Sequence, residues 1–450
     1  MEWQELLTSE RFGDETYSED LNRALYVQDF DRVVFSAPFR RLANKTQVHP
    51  LYDHDHIHHR LIHSVETSSV GRSIAMAIAQ WLLDQEILTD PEQKHAMAGA
   101  VQAACVAHDI GNPPFGHSGE AAIGEWFSEK FSKTSGMFGA LGKDKWREFI
   151  EFEGNAQGFR ILTNLEMYRN DGGMRLSFPV LGAFQKYPLG ANAAEKQRHN
   201  SKAASEPIYC GAKKFGVFQS DLESLKVIGE KMGMVQCEIE GEIAFRRHPL
   251  VFIVEAADDI CYNLLDLEDA YTSGDLSAQE VERLLLTICG KPNRDLSSYT
   301  PAEKISYYRA RAIGVGVQQC VDAFKKNYIT IMDGTFNSSL LEECEKWLEF
   351  EKIKDLSKER IFKSKRKTEL EVSGRNVIHK VLDGVAPIYQ TLSACNWEEE
   401  KLSGYEEKVV RALNLDLRTV RDEYSALHSM TDFVSGMTDR YCVSIAKLLS

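Results

Sequence analysis

The run AMAGAVQAACVAHDI, at residues 96–110, constrains this chain more than any other. It is apolar and alanine-rich, so it reads as a largely buried helix. It should stop near Gly111, because Pro113 and Pro114 cannot continue it. At its end stand His108 and Asp109. A carboxylate carried into an apolar interior is costly without a partner. A divalent metal shared by an imidazole and a carboxylate offsets that cost. The rest of the chain must then bring further donors to the end of this helix.

Two other helical segments can supply them. Residues 61–88 carry apolar side chains at helical spacing, with small residues suited to close packing, and His63 lies early in the run. Residues 249–272 form a third helix with Pro249 near its start. Inside its apolar stretch VFIVEAADDICY, Asp258 and Asp259 are adjacent, which is costly unless at least one is paired; Asp258 offers the further carboxylate. The order His63, His108–Asp109, Asp258 gives two imidazoles and two carboxylates. That set can hold one octahedral divalent metal and leave positions for water and a phosphate oxygen. Such a metal lowers the pKa of water and neutralises phosphate charge.

Helical patterns dominate elsewhere, so the expected class is all-α. Residues 130–150, rich in Gly, Ser and Lys, read as a surface excursion. Residues 206–219 place Ile, Tyr, Phe and Val around Gly211 and predict a small β-hairpin. No clean linker interrupts the 450 residues, and a single large domain over 1–450 is expected. The net charge of -14 excludes a surface that is nucleic-acid-binding throughout, but not a local basic patch. Nine scattered cysteines without a CxxC pair exclude a disulfide framework or a structural zinc site. The best candidate for a membrane span, Ile74 to Leu83, is about half the length that a span requires. The N-terminal MEWQELLTSERFGDE lacks the basic start and apolar core of a signal peptide, so a cytoplasmic location is expected. The stretch DHDHIHHR (53–60) holds four His without finger spacing and reads as a pH-sensitive loop by the site mouth.

Four blocks carry a resemblance: RVVFSAPFRRLANKTQVHP (32–50), RLIHSVETSSVGRSIA (60–75), AHDIGNPPFGHSGE (107–120) and HPLVFIVEAADDICYNLLDLEDA (248–270). They resemble the deoxyguanosine triphosphate triphosphohydrolase family of the HD phosphohydrolase superfamily, and the ending SGMTDRYCVSIAKLL resembles it too. The resemblance implies a helical HD fold with a catalytic core over 20–275. The helical region 276–450 would then be available for oligomerisation or regulation. It implies His63, His108, Asp109 and Asp258 as ligands of Mg²⁺ or Mn²⁺, the first Asp of EAADDI being the ligand. It implies His117 and Glu120 as the catalytic pair. The residues fit that role: they follow the Pro-Pro-Phe-Gly turn directly after the metal ligands, and a His near neutral pKa suits proton transfer.

For the substrate, the resemblance points to Gln47 reading the deoxyribose 3′ hydroxyl and to Lys186 and Lys214 holding the triphosphate, with Arg40 a further cation. Tyr262 and Asp266 lie four and eight residues past Asp258, on roughly the same helix face. Tyr262 would stack beneath the sugar and Asp266 would accept from the 3′ hydroxyl. The implied activity is hydrolysis of a deoxynucleoside triphosphate, foremost dGTP, to deoxynucleoside and triphosphate. The rival readings are another HD nucleotide phosphohydrolase, such as a 5′-nucleotidase or signalling-nucleotide hydrolase, and a nucleotide- or single-stranded-DNA-binding regulator without turnover. The resemblance also implies a homo-oligomer, with a hexamer among its forms. A single-stranded DNA or nucleotide effector would find eight Lys and Arg between 352 and 367.

Overall fold

A computed structural model of the chain describes all residues except 19, 21, 46, 48–57, 133–135, 140, 168–171, 240, 363–364 and 450. Most of the histidine-rich stretch 53–60 lies outside the described residues. Nine helices carry the argument. α1 (Arg60–Asp84) buries Val70, Ile74, Ile78 and Leu82 at helical spacing. Small residues between them, Ser64, Thr67, Gly71 and Ala75, let a neighbour approach closely. That neighbour is α2 (Glu92–Ala107), which buries five alanines. α3 (His117–Phe131) follows after the Pro-Pro turn, and then the short α4 (Gly154–Arg160). α5 (Pro249–Thr272) is the central helix, packed against both α1 and α2. Pro249 occupies its first turn, where a missing N–H leaves no bond unmade, and His248 caps it by accepting from Leu250 N. α6 (Pro301–Lys326) covers α1 and α5 from the other side.

The last third returns to the site rather than leading away from it. α7 (Lys365–Ala394) packs on α3, and α8 (Glu423–Ser435) and α9 (Asp439–Leu448) pack on α7. One continuous apolar core runs from Trp3 to Ala446. Among the described residues, no helix is long and apolar enough to cross a membrane.

The β-hairpin expected at 206–219 does not form. Cys210–Ala212 make one 3₁₀ turn, and Val217 makes a single parallel bridge to Gly190. The reason is burial. Tyr209, Cys210, Ala212, Phe215, Val217 and Phe218 are all buried, with no solvent-facing alternation. The backbone spends its hydrogen bonds on the preceding segment instead: Gly216 N donates to Leu189 O (3.0 Å), and its carbonyl accepts from Gln185 Nε2 (2.9 Å). The surface excursion expected at 130–150 is likewise tied down where it is described. Phe138 and Phe149 are buried, in ring contact with Trp126 and Phe127 respectively.

The turn after α2 is built by close backbone approach. A Cβ on Gly111 would stand 2.1 Å from both Gly154 O and Gly158 N of α4. Gly111→Ala should therefore push α4 off the turn and destabilise the protein by about 1–3 kcal/mol. The midpoint of urea unfolding reads this directly, and an unchanged midpoint would contradict the packing described.

Candidate active site

Three helices bring the expected donors together. His63 projects from the first turn of α1, His108 and Asp109 follow directly on α2, and Asp258 comes from the middle of α5. His63 Nε2 lies 2.9 Å from Asp258 Oδ1, and His108 Nε2 lies 3.5 Å from the same oxygen. His108 Nε2 is also 3.6 Å from Asp109 Oδ1. His63, His108 and Asp109 each offer a ligand atom within 4.8 Å of the others. The other nitrogen of His108, Nδ1, donates to Cys105 O at 2.7 Å. That bond fixes the ring so that Nε2 faces the carboxylates.

The electrostatics are those of a cation site. Burial pushes both carboxyls up, but for Asp109 the charges of Arg60, His108 and His63 overcome it and bring the carboxyl down to about 2. His108 and His63 hold Asp258 well below the usual carboxylate range against the same opposition. Conversely, burial lowers His108 while Asp109 and Asp258 raise it to about 9. Two imidazoles and two ionised carboxylates converging on one point fit a divalent metal of the hard or borderline kind.

Beside this set opens a cavity of about 330 Å³, lined on one wall by His108, Asp109 and Asp258 and on another by His117. His117 begins α3 with its side chain 82 % exposed at the mouth. Its Nδ1 donates to Glu120 Oε2 at 2.6 Å, and Glu120 Oε1 accepts from Gly154 N at 2.8 Å. The bond to Glu120 raises the imidazole above its ordinary pKa and leaves Nε2 for a reaction partner.

The expected substrate residues divide. Gln47, Lys186, Lys214 and Tyr262 line the cavity. Gln47 Oε1 is buried and accepts no hydrogen bond among the described residues. Lys186 Nζ is 3.2 Å from Glu255, which Arg247 also holds at 2.8 Å. Lys214 Nζ is 2.9 Å from Glu153. Asp266 is buried and is not on the cavity wall; burial and Asp269 push its carboxyl well up, and its Oδ2 has no hydrogen-bond partner among the described residues. Arg40 is exposed and lies outside the lining. His58 pairs with Asp269 at 2.6 Å; burial opposes its charge, but Asp269 and Glu66 raise it to about 10.

Several residues that line or serve the site were not singled out from the sequence for that role. Arg60 is buried, lines the cavity and grips Asp109 Oδ2 through Nη1 at 2.7 Å. A signal existed: it stands one helical turn before His63, on the same face. Asn112 donates to Asp109. Glu153 has no local signal; burial and the charge of Glu120 push it up to about 7 against Lys214. Lys367 belongs to the basic run, yet it lines the cavity. Other members of that run make surface pairs, Lys358 with Asp355 and Arg360 with Glu280.

A model of the HD domain matches residues 60–150, a stretch holding His63, His108, Asp109, His117 and Glu120. The helical fold and converging His/Asp set thus define an HD-domain protein. A deoxyguanosinetriphosphate triphosphohydrolase-like protein of Pseudomonas aeruginosa is 37% identical over 463 residues, covering 99% of this chain and 98% of the relative. A protein of the same description from Synechocystis is 33% identical, covering 98% and 97%. A deoxyguanosinetriphosphate triphosphohydrolase of Klebsiella pneumoniae is 27% identical, covering 93% and 92%. The chain belongs to the deoxyguanosinetriphosphate triphosphohydrolase-like family of HD-domain hydrolases.

Arg60→Met would leave Asp109 buried without its guanidinium partner. It should destabilise the metal-free protein by about 3–5 kcal/mol, and added Mn²⁺ should recover part of that. Thermal unfolding with and without Mn²⁺ tests both, and a parental midpoint without metal would refute the pairing.

Proposed function

We propose that this protein hydrolyses deoxynucleoside triphosphates, dGTP foremost, to the deoxynucleoside and inorganic triphosphate. The observation that carries the reading is one cavity flanked by the His63/His108/Asp109/Asp258 set and by the His117–Glu120 pair. The names of the relatives support the substrate.

A divalent metal, Mg²⁺ or Mn²⁺, held by the four ligands would neutralise the α-phosphate and acidify water. The chain's own residues do the rest. Water attacks the α-phosphorus and the bond from phosphorus to the 5′ oxygen breaks. His117 Nε2–H delivers a proton to that leaving oxygen, while Glu120, fixed by Gly154 N, holds the ring and stabilises its charged form. Lys186, Lys214 and Arg60 face the polyphosphate from the cavity wall. Gln47 offers its unmet acceptor to a sugar hydroxyl, and Tyr262 supplies an aromatic face for the ring.

Product chromatography on purified protein with each of the four dNTPs and Mn²⁺ decides the reaction. Deoxyguanosine and triphosphate are expected from dGTP, and His117→Ala should lower turnover by about 10²–10⁴ while metal binding persists. Inorganic phosphate as the sole phosphorus product, or full activity of the variant, would refute the scheme.

The pH profile gives a second check. A general acid works only while protonated, so the rate falls as pH rises through the His117 pKa. Glu120 raises that pKa, so Glu120→Gln should move the alkaline limb to lower pH. An unmoved limb would show that another group is the acid.

A further inference from the structure

The block SGMTDRY (435–441) is used by neither the metal set nor the His117–Glu120 pair. It lies behind the loop 112–116 that joins Asp109 to His117. In that loop Phe115 sits at φ 63°, a left-handed conformation that a bulky residue keeps only when its surroundings hold it. Two features of the C-terminal third do so. The Phe115 amide donates to Asp439 Oδ1 at 3.0 Å, and Asp439 is 1 % exposed. The Phe115 ring lies against Gly374 of α7, where a Cβ would stand 2.8 Å from its Cγ. The start of the loop is fastened as well: buried Lys45 Nζ donates to Asn112 O at 2.6 Å and to Ser435 O at 2.7 Å.

We propose that Asp439 is a positioning residue for the hydrolysis. By holding the Phe115 amide it keeps the left-handed turn, and the turn sets where His117 stands relative to Asp109. Lys45 is the matching tie at the other end of the loop. The C-terminal block is thus part of the site's framework although it contributes no lining residue. The effect on rate rests on the reading of His117 as proton donor; the effect on the loop does not.

The test compares Asp439→Ala with Asp439→Asn in the full-length protein. The amide oxygen of Asn can still accept from Phe115 N–H, whereas Ala leaves that donor without its partner. Hydrogen–deuterium exchange of peptides covering 110–118 is measured by mass spectrometry, alongside thermal midpoints and steady-state kinetics with dGTP and Mn²⁺. In the Ala variant, exchange at Phe115 should quicken by about tenfold. Its kcat should fall by about tenfold or more with KM within about threefold. The Asn variant should stay near the parent in both. Parental exchange and kcat in the Ala variant overturn the proposal. So does an equal loss in both variants, with or without a lowered midpoint. If the parent itself turns over no dNTP, the functional reading fails, and the exchange comparison still decides whether Asp439 holds the loop.

Discussion

The structure depends on drawing two carboxylates, Asp109 and Asp258, into a meeting of three apolar helices. Nothing in α2 or α5 could hold such groups ionised alone, because desolvation favours the neutral acid. The answer is geometric. α1 delivers His63 and, one turn earlier, Arg60; α2 delivers His108; and the small residues on the facing surfaces let these groups meet. Burial and countercharge then act in opposite directions on Asp109, and the countercharge prevails. A site that keeps its anions ionised in this way is prepared for a cation, which is why the same packing that shapes the core also defines the chemistry.

The cavity rim repeats this logic with the signs exchanged. Three of the cations that line the cavity rest on an acid: Arg60 on Asp109, Lys186 on Glu255 and Lys214 on Glu153. Arg247, buried behind Lys186, shares the same Glu255. Such pairs hold long side chains in place before any ligand arrives, so little reorganisation remains for the reaction. They also limit the charge each cation can lend. Burial and the charge of Glu120 push the Glu153 carboxyl up, against the pull of Lys214. The His117–Glu120 pair is coupled to this rim through Gly154, whose amide anchors Glu120 one residue from Glu153.

Much of the fold was legible because its signals are local. Helical periodicity at 61–88 and 249–272, a Pro at a helix start, and Pro-Pro after a buried helix are statements about neighbours in sequence, and α1, α2 and α5 follow them closely. The failures were of the opposite kind. Residues 206–219 have strand-like composition, but Tyr209, Phe215, Val217 and Phe218 all found the core, so no pleated face was left to pair. Residues 130–150 looked polar, yet their aromatic rings close over Phe127 and Trp126.

For the site, the sequence by itself determined which residue types could meet a metal and that His117 and Glu120 stand one helical turn apart. Those are consequences of composition and of spacing along single helices. Only the tertiary structure decided that Arg60 grips Asp109, that Glu153 holds Lys214, that Lys367 of the basic run lines the cavity, and that Asp439 reaches Phe115 across 324 residues. These pairings join positions far apart in the chain, and their partners are selected by the packing of α1, α2, α5, α7 and α9. No local pattern encodes them, because the energy that fixes each one comes from burial that exists only after the helices have closed together.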